Sequence, residues 1–150
     1  MRYSWGGGNE KGPTLGIHDG GVADSYGDYA NPGFDCSGLM MYAYGAVGIH
    51  LPHYTGSQYQ AEQKYQVGGA DMPTSQMQPG DLIYFGPGAS EHVAMYIGGG
   101  KIVESPQSGE KVHVVPYTHR PGQFAVTRPL AGLPGGGQQQ AVVDAATNAP

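Results

Sequence analysis

The sequence contains a single cysteine, Cys36, among 150 residues. No intrachain disulfide can form, and a thiolate-rich structural metal centre is ruled out with it. Basic residues are scarce: seven Lys and Arg stand against twelve Asp and Glu, a formal net charge of −5. Nucleic acid and anionic membrane surfaces both require clustered Lys and Arg, so neither is an expected partner. Long apolar runs are missing too. None approaches the ~20 residues of a membrane span, and membrane insertion is not expected. No stretch reads as an export signal, but the chain begins inside what reads as a folded segment, so this says little about compartment. Neither His-x-x-x-His nor Cys-x-x-Cys spacing occurs, so no metal is expected; nor is a cofactor.

What the chain has in abundance is glycine and proline, 27 and 12 residues respectively. That predicts short strands, many turns and little long helix. The length suits one domain with its own core. Residues 1–33 are Gly-rich, with an ordered entry around Tyr3 and Trp5 followed by a long surface loop. Leu39, Met40, Ala43, Tyr44 and Val47 recur at helical spacing and predict a helix from Cys36 to about Ala46. Leu51-Pro52-His53-Tyr54 interrupts that pattern, and a short helix follows over 56–64. Residues 66–80 read as loop. From Asp81 the period becomes two, predicting strands over 81–85, 92–97, 101–104, 113–117 and 124–128. Helices followed by antiparallel strands make an α+β arrangement. Residues 131–150 have no aromatic residue and one charge, Asp144. They are expected to form a flexible Gly/Gln/Ala-rich tail beyond a domain of residues 1–130.

Cys36 lies in Phe34-Asp35-Cys36-Ser37-Gly38. Asp35 is a good helix N-cap, which puts the thiol in the first helical turn, where the macrodipole favours a thiolate. A lone cysteine is more often a small core hydrophobe. Here, however, it is polar-flanked and stands at a helix start, which points to a nucleophile in need of a base. His92 is the best-placed histidine, opening a strand just after a Gly/Pro loop. A three-residue loop at 98–100 would put Ala94 opposite Glu104, making His92 and Glu104 diagonal neighbours on one face. That is the geometry of a base and its orienting carboxylate. A two-residue turn would send Glu104 to the other face, and the sequence leaves the turn length open. His50 and His53 flank Leu51-Pro52 as cleft lining or as surface loop. His18, His113 and His119 read as solvent-exposed.

With these residues in view, the chain strongly resembles the NlpC/P60 family of cell-wall cysteine peptidases. The resemblance rests on Tyr3-Ser4-Trp5-Gly6-Gly7, Asp35-Cys36-Ser37-Gly38, Gly48-Ile49-His50-Leu51-Pro52, Pro79-Gly80-Asp81-Leu82-Ile83-Tyr84-Phe85 and His92-Val93-Ala94-Met95-Tyr96-Ile97-Gly98, in family order. Residues 51–59 look most like the mycobacterial Rip-type members. The resemblance implies a papain-like fold with helices on a central antiparallel sheet, and hydrolysis of peptidoglycan stem peptides at the D-γ-glutamyl–diaminopimelate bond. It implies Cys36 as nucleophile, His92 as base and Glu104 as the orienting third residue, with Tyr3, Asp35, Ser37 and His53 at the substrate-binding edge. The backbone N–H of Cys36 is the expected oxyanion donor.

Three departures stand out. Glu104 occupies a position that is often His in the family, and its charge would raise the pKa of His92. His53 stands where Arg is usual. The insert over 8–34 is longer than the common spacing and is expected to shape or partly cover the cleft. The partner expected is peptidoglycan, the chain acting as a secreted, wall-located monomer. The alternative is a non-catalytic module of the same fold that binds peptidoglycan, with the tail contributing. Acyl transfer to an amine is a third route that nothing in the sequence selects.

Overall fold

The computed structural model describes residues 1–133 and 138–149. In chain order the elements are β1 (Thr14–Leu15), α1 (Val22–Ser25), β2 (Pro32–Gly33), α2 (Cys36–Gly45), α3 (Thr55–Glu62), β3 (Gln66–Gly69), β4 (Leu82–Phe85), β5 (His92–Gly98), β6 (Lys101–Glu104), β7 (His113–Pro116), β8 (Gln123–Thr127) and α4 (Gln139–Thr147). Six strands form one antiparallel sheet in the order β3-β8-β4-β5-β6-β7. The α+β architecture is therefore the one the strand periodicity implied.

Alternation along the strands splits the interior in two. Leu82, Tyr84, Val93, Met95, Val103 and Ala125 face α2, joining Leu39, Met40, Ala43 and Tyr44. Ile83, Phe85, Ala94, Tyr96, Ile102 and Val126 face the other way, covered by Met72, Met77 and Tyr117. Helix α2 is buried on most of its circumference because the sheet lies on one side and α4 on another. Asp81, fully buried at the entry to β4, receives both Arg128 Nε at 2.9 Å and Arg128 Nη2 at 3.0 Å, fastening β4 to the exit of β8. The Tyr44 hydroxyl donates to the Gly80 carbonyl just before it.

Three elements differ from the sequence reading. Residues 66–69, read as loop, are edge strand β3. Gln66-Val67-Gly68-Gly69 carries little strand propensity, and its pairing is supplied by the open edge of β8 across an irregular register. Residues 139–147, read as flexible tail, are helix α4, with Val142, Val143 and Ala146 buried against the α2 core. Three small apolar side chains on one helical face suffice there because the partner surface already exists. The Gly135-Gly136-Gly137 part of that tail lies outside the described residues. The insert over 8–34, read as a long surface loop, carries short elements of its own. Its β1 and β2 pair with each other. Asp28 in it is fully buried and accepts from Arg2 Nη2 (2.9 Å), the Trp5 N–H (2.9 Å) and Ser108 Oγ (2.6 Å). Among the described residues no helix is long and apolar enough to cross a membrane.

Candidate active site

Asp35 caps α2 as its sequence position implied: Oδ1 accepts from the Gly38 N–H at 2.7 Å and from Ser37 Oγ at 3.3 Å. The segment carrying Tyr3 and Trp5 is laid across this helix start. Asp35 N–H donates to the Gly7 carbonyl at 3.0 Å, and a Cβ on Gly38 would stand 2.1 Å from that same oxygen. Glycine at position 38 is thus a condition of the crossing. From α3, the buried Gln58 donates its amide to the Ser37 carbonyl at 2.9 Å and steadies the first turn from beneath.

The turn from β5 to β6 resolves the open register. Met95 pairs with Val103 and Tyr96 with Ile102, but Gly98 pairs with Lys101, so the turn has two residues and Ile97 is bulged out. The bulge compensates for the short turn and leaves Glu104 on the face of His92. His92 Nε2 lies 2.7 Å from Glu104 Oε1. With Nε2 committed to the carboxylate, Nδ1 is the ring nitrogen left to exchange a proton.

Cys36 and His92 line one cavity of about 430 Å³, together with Tyr3, Asp35, Ser37 and His53. Every residue expected at the substrate edge is therefore gathered around the thiol. Trp5, Ile17 and Tyr54 are among its other walls, so the insert forms part of the cleft through Ile17. His53 Nε2 is 2.8 Å from Asp35 Oδ1. That hydrogen bond holds the His53 pKa above its ordinary value, with partial burial opposing it and the Asp35 charge reinforcing it. His50 instead meets Glu10 at 2.8 Å on the surface.

Electrostatics correct one expectation. Burial, reinforced by the charge of Asp35, pushes the Cys36 thiol up to about 12, although the backbone N–H groups of Val93, Ser37 and Cys36 pull the other way. The helix start lowers the cost of a thiolate, but desolvation outweighs it, because a buried group loses its water shell while the dipole acts only as a partial charge. Tyr3 is pushed upward as well, by burial and then by the Cys36 and Asp35 charges.

Glu104 is 2 % exposed and holds more partners than sequence reasoning found. His113 Nε2 reaches Oε2 at 2.8 Å, and Arg120 is bidentate, at 2.8 Å to Oε1 and 3.0 Å to Oε2. Burial alone would raise the Glu104 pKa; the hydrogen bonds from His92, Arg120 and His113 more than reverse this and hold it well below the usual carboxylate range. His113, read as solvent-exposed, is thus half-buried and paired. Arg120 lies over the rings of Phe85 and Tyr117, 5.2 and 5.7 Å from their centroids. Neither residue carries a local sequence signal: Arg120 sits in the loop before β8, and only the sheet brings it to β6.

A thiol at a helix N-terminus shares a cavity with a strand-borne imidazole held by a carboxylate, on the α+β frame of a papain-like domain. The chain belongs to the NlpC/P60 family, which it matches over residues 1–129. Peptidoglycan endopeptidase RipA of Mycolicibacterium smegmatis is 50% identical over 114 residues, covering 76% of this chain and 20% of the relative. Peptidoglycan endopeptidase RipB of Mycobacterium tuberculosis is 42% identical over 115 residues, covering 76% of this chain and 41% of the relative. The chain therefore spans less than half the length of these curated relatives. RipD from Mycobacterium tuberculosis, described as a non-catalytic NlpC/p60 domain protein adapted to peptidoglycan binding, superposes with a TM-score of 0.68 at 34% identity, covering 87% of each chain. The likeness of residues 51–59 to Rip-type members agrees with this kinship.

Proposed function

We propose that this domain is a D,L-endopeptidase that cuts peptidoglycan stem peptides at the D-γ-glutamyl–diaminopimelate bond. The observation that carries the reading is the 2.7 Å contact from His92 Nε2 to Glu104, on a ring that shares the Cys36 cavity. Because the resting thiol is protonated, the reaction begins with His92 Nδ1 taking the thiol proton as Sγ attacks the scissile carbonyl. The oxyanion is met by the backbone N–H of Cys36. Collapse breaks the C–N bond, and the imidazolium returns its proton to the leaving amine. Water, deprotonated by His92, then cleaves the thioester and regenerates the thiol. Glu104 holds the tautomer and stabilises the imidazolium, as the carboxylate of a triad does. Tyr3, Asp35, Ser37 and His53 contact the peptide.

Structures of RipA mutated at a histidine and at a glutamate lend support: in that protein the two positions are separated by the same 12 residues as His92 and Glu104. The location proposed is the cell wall, where peptidoglycan is met. A second reading, wall binding without cleavage, is favoured by the close two-way coverage of RipD. Turnover of a soluble stem peptide separates the two. Cys36→Ala and His92→Ala are expected to lose at least about 10³-fold in kcat, and Glu104→Gln about 10²-fold or more. Equal rates for wild type and Cys36→Ala would remove the endopeptidase and leave the binder.

A further inference from the structure

A second cavity of about 500 Å³ adjoins the first, and Tyr3 and Trp5 line both. Its remaining walls come from the insert, with Asp19, Val22 and Tyr26, and from Gln107 and Ser108 after β6. The insert thus does more than shape the cleft: it builds a compartment behind the indole of Trp5.

The chemistry of that compartment is specific. Trp5 is 45% exposed, yet it is not loose: its Nε1 donates to Asp19 Oδ2 at 3.0 Å and its backbone N–H to Asp28 at 2.9 Å. Asp19 is fixed in turn by the Gly21 N–H at 2.9 Å. Tyr26 is 51% exposed and packs beside Gly109, where a Cβ would lie 2.7 Å from its ring. A rigid, partly open aromatic surface beside a carboxylate, an amide and a hydroxyl suits a pyranose, which offers C–H bonds on its faces and hydroxyls at its rim. The volume lies within the range of about 300–1,000 Å³ common for small-ligand sites. Asp19 is the only charged residue in the lining, so no cation is present to hold a phosphate or other anion.

We propose that this cavity is a saccharide subsite, which takes the glycan end of the same wall fragment whose stem peptide lies at Cys36. The proposal rests on the reading of the Cys36 cavity as the peptide site, with Trp5 as the wall between sugar and peptide. Selection would then favour peptides still attached to sugar over free peptides.

The single tryptophan of the chain reports on it directly. In the Cys36→Ala protein, which leaves substrate uncut, Trp5 fluorescence and calorimetry are measured with three probes: a disaccharide-tripeptide, the tripeptide alone and the disaccharide alone. The sugar-bearing tripeptide is expected to bind about tenfold more tightly than the bare one. Tyr26→Ala and Gln107→Ala are each expected to reduce that advantage at least threefold while leaving the Kd of the bare tripeptide unchanged. Equal affinity for both tripeptides, or a Tyr26→Ala effect of the same size on both, overturns the subsite. No binding by any probe overturns it too. Cleavage by the Cys36 protein is assayed separately, so a sugar preference without cleavage would leave the subsite standing and remove only the hydrolase.

Discussion

At the scale of the residue, the thiol and the histidine at the cleft each carry a measurable consequence. A Cys36 thiol pushed up to about 12 is protonated across the physiological range, so its thiolate forms only during attack. Ultraviolet absorbance of the thiolate, taken as the difference between wild type and Cys36→Ala, is expected to be absent from pH 6 to 9. A titration step near pH 7 would show instead a resting thiolate–imidazolium pair. His53 follows the opposite sign. Its folded-state pKa is raised by Asp35, so the pair adds stability fully below the unfolded value of about 6.5 and loses it as pH rises through the raised value. The NMR titration midpoint of the His53 ring is expected above about 6.5, falling back in Asp35→Asn, a change that keeps an acceptable N-cap. A midpoint unmoved by Asp35→Asn would detach His53 from the helix cap. At this scale local context in the sequence singled out Cys36 and His92, whereas Glu104 depended on a turn length that the sequence left open. It did not show the state of the thiol, which depends on burial by residues far along the chain.

Among the elements, the loop after β7 is tied to β6 through Arg120 and Glu104. Arg120→Ala would leave a buried carboxylate with two histidines in place of a bidentate guanidinium. Removing one partner of a buried ion pair costs about 3–5 kcal/mol; with Arg120 partly exposed, about 1–3 kcal/mol is expected here. That corresponds to a fall in Tm of roughly 2–4 °C per kcal/mol for a domain of this size. Turnover is expected to fall about tenfold with little change in KM, since Arg120 does not line the Cys36 cavity. A large rise in KM with kcat intact would make Arg120 a substrate contact. Elements with strong periodicity, α2 and the strands β4 to β8, were legible in sequence. Helix α4 and strand β3 were not, because tertiary partners rather than intrinsic preference bring them into being. The β5–β6 turn lies between these cases: the register implied for Glu104 holds, but it is reached by a two-residue turn and a bulge at Ile97, which two-fold alternation does not reveal.

Across the whole molecule, the insert and the sheet end both contribute walls to the Cys36 cavity. Tyr3 and Trp5 come from the chain start, Ile17 from the insert, His53 from the approach to α3 and His92 from the sheet. The motifs around Tyr3, Cys36 and His92 thus converge although they are spread over most of the chain, and the departures have physical partners: His53 meets Asp35, and Glu104 is offset by Arg120 and His113. Whether this convergence cuts a stem peptide is read most plainly by digestion of a disaccharide-tetrapeptide wall fragment, with the products identified by mass. The expected result is a disaccharide-dipeptide and a diaminopimelate-bearing dipeptide, formed by the wild type and not by Cys36→Ala. Intact fragment after prolonged incubation with the wild type, together with retention of the protein on peptidoglycan, would contradict it and make this a wall-binding domain with the residues of a hydrolase.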